Sequence, residues 1–115
     1  MMPKESFVLV VTEPEVEGKT RIIESILEKL VIRADLVTVP HDNQSPTVRN
    51  WCGGKDIPYS VVEEDEDFGF IEMCNFGVFF VSGPTRRAFV DAYRQALHLE
   101  GKIAFVIEVN SESES

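Results

Sequence analysis

The sequence predicts one α/β domain: a Rossmann-like, three-layer arrangement with a mostly parallel five-stranded sheet and helices on both faces. Three observations lead there. Five short runs are almost wholly apolar and rich in β-branched or aromatic residues, as in strands buried on both faces. Between them the apolar residues recur at helical spacing. Strands alternating with helices then imply right-handed crossovers, which lay the strands parallel.

The first run, Ser6–Thr12 (SFVLVVT), is continuous and apolar, hence a strand. In Gly18–Val31 the period changes: Ile22, Ile23, Ile26, Leu27 and Leu30 share one helical face, with Glu24, Glu28 and Lys29 opposite. Leu36–Pro40 (LVTVP) is a second strand. Pro46–Trp51 carries weak helical patterning, which Gly53-Gly54 is expected to end. Pro58–Glu63 reads as a third strand, followed by an acidic block and Phe68-Gly69-Phe70 as a loop or short irregular helix. Phe76–Val81 (FGVFFV) is a fourth strand. Pro84–Leu99 is the clearest helix: proline pre-sets φ near its start, Ala88, Phe89, Ala92, Tyr93, Ala96 and Leu97 form a stripe, and Gly101 stops it. Ile103–Val109 (IAFVIEV) closes the sheet. The domain is thus 1–109, and 110–115 is a tail too polar to pack, expected to be disordered.

At 115 residues, 43% hydrophobic and 27% charged, the chain can bury one core without disulfides or structural metal. No apolar run approaches the roughly 20 residues needed to span a bilayer. The first residues lack the apolar region and cleavage site of a signal peptide, so a cytoplasmic protein is expected. Cys52 and Cys74 have neither CxxC spacing nor a nearby histidine, and read as two free, buried thiols. No cofactor is implied.

The formal net charge of −9 is more informative. A nucleic-acid binder needs a basic stripe to displace counterions from phosphates, and an acidic surface repels anionic membranes. Neither partner is expected. Glu63-Glu64-Asp65-Glu66-Asp67 could bind a divalent cation, but it lacks the alternate-ligand spacing and glycine of a calcium loop and reads as a solvated acidic loop.

Open α/β sheets bind ligands beyond the carboxyl ends of their strands. Three loops qualify. Glu13–Thr20 (EPEVEGKT) has the placement of a phosphate-binding loop and its terminal Gly-Lys-Thr. However, Glu13 stands where such a loop needs glycine, and Glu13, Glu15 and Glu17 would face a triphosphate. An acidic turn favouring the helix dipole is the simpler reading. His41-Asp42-Asn43-Gln44-Ser45 is dense in polar side chains, so that His41 or Asp42 could serve as acid, base or ribose ligand; alternatively the loop is solvated and Ser45 caps the next helix. Ser82-Gly83-Pro84-Thr85 ends an apolar strand and opens a helix, aiming main-chain N–H groups and the positive helix end at one spot. Gly83 permits close approach, Ser82 and Thr85 offer hydroxyls, and Arg86 with Arg87 adds positive charge. The plain alternative has Ser82 as a helix cap and both arginines solvated or paired with the acidic block.

With these loops placed, Phe7–Val109 resembles the SLOG superfamily of small Rossmann-like domains. That group includes LOG-type nucleotide phosphoribohydrolases, Smf-like domains and stand-alone nucleotide sensors. Ala34–Pro40 (ADLVTVP) resembles the family's second strand, Val48–Val62 its helix and third strand, and Asn75–Leu97 the strand, glycine turn and helix that hold phosphate and ribose. Lys102–Val109 is similar to the closing strand. The hydrolases' longer glycine-rich motif is reduced here to Gly83 and Thr85, with Ala88 near the place of the catalytic glutamate. The resemblance therefore implies a binding domain rather than an enzyme.

Three readings follow. One is non-catalytic binding of a nucleotide-like or phosphorylated small ligand through Ser82, Gly83, Thr85, Arg86, His41, Asp42 and Glu13. Another is an acidic accessory or antagonist module that engages a basic protein partner. The third is a phosphoribohydrolase-like enzyme. Phe89 and Tyr93 on the last helix suggest a homodimer.

Overall fold

The computed structural model describes residues 6–41, 44–62, 69–83 and 88–109. Five strands, β1 (Phe7–Thr12), β2 (Leu36–Pro40), β3 (Tyr59–Val62), β4 (Phe76–Val81) and β5 (Ile103–Glu108), form one sheet in the order β3-β2-β1-β4-β5. Every pairing is parallel: Val8 lies beside Val37 on one side and Phe76 on the other, and Phe76 beside Ile103. The chain first winds outward from β1 through β2 to β3, then crosses back to β4 and winds the other way. The direction therefore reverses between β1 and β4, where a parallel sheet opens a crevice at its carboxyl end.

Helices α1 (Thr20–Leu30) and α2 (Pro46–Gly54) cover one face, and α3 (Ala88–Leu99) the other, giving three layers. Alternation along each strand decides which residues meet which helix. Val8, Val10, Val37, Val39, Val78 and Phe80 pack against Ile23 and Leu27 of α1 and Val48, Trp51 and Cys52 of α2. Leu9, Val11, Phe79 and Val81 point the opposite way, onto Val90 and Leu97 of α3 and Ile71 and Cys74. Each such side chain, fully buried, contributes roughly 1.5–3 kcal/mol. Gly77 lets α3 approach: a Cβ there would lie 2.5 Å from Leu97 Cδ1 and 2.9 Å from Phe79 Cε1.

Helix ends follow local chemistry. Ser45 caps α2 as expected, its hydroxyl accepting the Val48 N–H at 3.2 Å. At the end of α3, Gly101 adopts φ 73°. Its N–H donates to His98 O at 2.9 Å and that of Lys102 to Leu97 O at 2.9 Å, the paired bonds of a Schellman turn. The end of α2 departs from expectation. Gly53 and Gly54 lie inside its last turn, and the left-handed residue is Asp56, at φ 60°. The N–H of Ile57 reaching Cys52 O at 3.0 Å closes that turn, so the same device operates two residues later without glycine.

Among the described residues the β3-to-β4 crossover contains a 3-10 turn, Gly69–Met73, instead of an α-helix. Among the described residues, one quadrant of the sheet is thus covered by that turn alone. A cavity of about 190 Å³ lies there, lined by Leu36, Thr38, Ser60, Val62, Phe70 and Cys74 among others. No helix among the described residues is long and apolar enough to cross a membrane.

Candidate functional site

The crevice between β1 and β4 is built around Glu13. This residue directly follows five core residues of β1 and is itself 1% exposed. Its N–H donates to Phe80 O on β4 at 3.0 Å, which continues the sheet ladder by one step. Its side-chain Oε1 accepts from the Ser82 N–H at 2.9 Å and from the Ser82 hydroxyl at 3.1 Å. A buried carboxyl group needs such donors, because water is excluded. One of the main-chain donors that the sequence offers to an incoming anion, the Ser82 N–H, is therefore engaged by the chain's own acid.

The Glu13–Thr20 loop has no cradle shape. Pro14–Val16 form a 3-10 turn closed by the Val16 N–H on Glu13 O at 2.9 Å, and Val16 is buried beneath it. The three glutamates diverge: Glu13 turns inward, Glu15 is exposed, and Glu17 reaches sideways to the start of α2. There its carboxylate accepts from the Ser45 hydroxyl at 2.5 Å, the Thr47 hydroxyl at 2.7 Å and the Thr47 N–H at 2.9 Å. An acid at a helix N-terminus complements the helix dipole. Thr20, which opens α1, has its hydroxyl 3.4 Å from that of Thr47, so both helix starts meet at Glu17.

Of the candidate residues, the structure brings Glu13 and Ser82 together, with Gly83 adjacent in sequence. A Cβ at Gly83 would meet no atom within 4 Å, so the space above it is open. His41 follows β2, two strands from β4 across β1, and is exposed; its carbonyl accepts from Gln44 Nε2 at 3.1 Å. Asp42, Thr85 and Arg86 lie outside the described residues, as do Arg87, the Glu63–Asp67 block and 110–115. Two polar residues escaped sequence reasoning. Thr12 is 5% exposed and its hydroxyl has no hydrogen-bond partner among the described residues. Thr47 binds Glu17. Threonine in a β-rich run looks like an ordinary strand residue, so nothing singled out Thr12.

Charge also gathers here. Glu13, Glu15 and Glu17 follow β1 directly, and Glu108 is the last residue of β5. Among the described residues, four acids, Glu13, Glu15, Glu17 and Glu108, stand at this end of the sheet, with Lys19 the base beside them in sequence.

Other chemistry is sparse. Burial pushes the Cys52 and Cys74 thiols up to about 11, so both are protonated at neutral pH. Among the described residues no group of three or more His, Cys, Asp or Glu could hold a metal ion. An open groove of about 530 Å³ lies between α1 and α2, lined by Arg21, Glu24, Glu28, Trp51, Gly54 and Lys55 among others. Neither it nor the smaller cavity includes Glu13, His41 or Gly83. No family model matches the chain, and no curated protein or solved structure matches it.

Proposed function

We propose that the chain is a non-catalytic interaction module whose acidic sheet end engages a basic protein partner. The observation that carries this reading is Glu13, buried at the switch between β1 and β4 with the Ser82 N–H and hydroxyl as its donors. A phosphate arriving there would meet a carboxylate already holding those donors, and like charges repel most strongly where water is excluded. The net charge of −9, with Glu13, Glu15, Glu17 and Glu108 at this end of the sheet, supports a cationic partner, since an acidic surface speeds association with an opposite charge.

A second reading keeps the small phosphorylated or nucleotide-like ligand at the Gly83 turn. It is favoured by the open space above Gly83 and by the nearby Arg86 and Arg87. The SLOG resemblance points the same way, since that family holds phosphate and ribose at this turn.

One experiment separates the two. Partner capture is compared between the wild-type chain, a triple charge reversal (Glu63→Lys, Glu64→Lys, Glu66→Lys) and Gly83→Asp, alongside thermal melting with a nucleotide panel. The interaction module loses its partner on charge reversal and at high salt, keeps it in Gly83→Asp, and shows no nucleotide shift. A nucleotide at 100 times its dissociation constant stabilising the fold by about 2.7 kcal/mol, with the gain lost in Gly83→Asp, would establish the ligand reading instead.

A further inference from the structure

The sheet has two edges, and they are treated differently. At one edge β3 is four residues long, preceded by Pro58 and followed directly by the Glu63–Asp67 block. Proline and like charge are standard means of keeping an edge strand from pairing with itself. At the other edge β5 is six residues long, and Ile103–Ile107 contain no charge, proline or glycine. Among the described residues no strand pairs with its outer side. Its first residue, Ile103, is 62% exposed, and Leu99, at the end of α3, is 82% exposed.

We infer that β5 is a homodimer interface, pairing antiparallel with β5 of a second copy about a two-fold axis at Phe105 to make one continuous ten-stranded sheet. Backbone geometry restricts the register. Val109 donates its N–H inward to Val81 O at 2.7 Å, so residues 103, 105 and 107 face β4, and 104, 106 and 108 turn their N–H and C=O groups outward. A two-fold antiparallel ladder needs outward residues opposite outward residues, which leaves axes at Phe105 or Val106. The Phe105 axis sets Ala104 against Val106 of the second copy, Ile103 against Ile107, and Phe105 against itself. It also sets Lys102 of each copy opposite Glu108 of the other, unlike charges at both ends of the ladder, although two of the three ammonium donors of Lys102 are engaged in its own chain, by Ile71 O at 2.8 Å and Glu72 O at 2.6 Å. The Val106 axis gives neither match. The partly buried Phe105 and Ile107 lie on the same face as Phe76, whose ring meets Phe105 edge-on at 5.6 Å. Pairing joins these rows across the two copies.

This moves the dimer surface away from Phe89 and Tyr93. Both pack on the chain's own core, with the Tyr93 ring 5.9 Å from Phe70. Antiparallel pairing also points the two acidic sheet ends in opposite directions, which makes the dimer bivalent.

The test is mass by light scattering over a concentration series, with circular dichroism as the fold control. The wild type should reach twice 13.0 kDa. Val106→Pro removes an outward N–H together with the packing of the Val106 side chain, and should give a folded monomer; Ile103→Lys, at a position 62% exposed, should do the same if the proline variant does not fold. Phe105→Cys should form a covalent dimer under mild oxidation at neutral pH, where the buried native thiols stay protonated, and Val61→Cys on β3 should not. A 13.0 kDa monomer at every concentration overturns the inference. So does a dimer unchanged by both edge variants, or one cross-linked through Val61→Cys and not through Phe105→Cys.

Discussion

Glycines separate what the fold needs from what recognition needs. Gly101 holds a left-handed φ of 73° in the turn that reverses the chain from α3 into β5. A side chain there is strained whatever space surrounds it, so Gly101→Ala should destabilise the domain by about 1–2 kcal/mol. Gly83 has no atom within 4 Å of its would-be Cβ, and Gly83→Ala should leave stability within about 0.5 kcal/mol of wild type. Urea denaturation of the two variants checks both values, and a strongly destabilised Gly83→Ala would place that residue in the structural class. Glu13 illustrates the limit of sequence reading at this scale. Its glutamate was visible as a departure from a phosphate loop, but its partner, Ser82, lies 69 residues away. Only the adjacency of β1 and β4 brings them together, and that adjacency depends on where the crossover reverses.

At the scale of elements, long apolar runs were legible and helix ends were less so. β2 and β4 occupy the expected residues because strands buried on both faces read as continuous apolar runs with clear ends. The end of α2 lies beyond its sequence marks: Gly53 and Gly54 signal a helix stop by rule, yet Asp56 takes the left-handed position. The α1–α2 seam offers a pH-dependent signal. The ammonium of Lys55, 2.6 Å away, and then the indole N–H of Trp51, at 3.1 Å, hold the Glu28 carboxyl below its ordinary range. A depressed carboxyl stabilises the folded state above its unfolded pKa and loses that contribution as pH falls through the lower, folded value. The pair is surface-exposed, so the effect on stability is small. Trp51 is the sole tryptophan. Its fluorescence should change as pH drops below the usual carboxylate range, and Glu28→Gln should abolish that transition; an unaltered profile in the variant would assign the change to another group.

For the whole molecule, the alternation of elements made the three-layer architecture legible, since no other arrangement buries five two-sided strands. The 3-10 turn at the β3-to-β4 crossover was less so, because its residues carry no period long enough to distinguish helix from loop. Two cysteines report on global cohesion. Cys52 sits between α2 and the sheet, and Cys74 on the opposite face, so each samples a different layer. Both are buried thiols raised to about 11. At neutral pH a thiol reagent should label neither in the folded protein and both together in denaturant. Labelling of Cys74 well before Cys52 would show that the quadrant beneath the 3-10 turn opens on its own.

The direction of the strands has a practical consequence. Chain preceding Phe7 enters at the amino end of the sheet, where the Ser6 N–H is held by Asp35 Oδ2 at 2.8 Å, while chain following Val109 leaves from the opposite end. A bulky fusion or a surface attachment placed ahead of β1 keeps clear of the crevice and its acids. The same attachment placed after β5 leaves from the end of the sheet that carries Glu13 and Glu108, and would mask the very association it was meant to report.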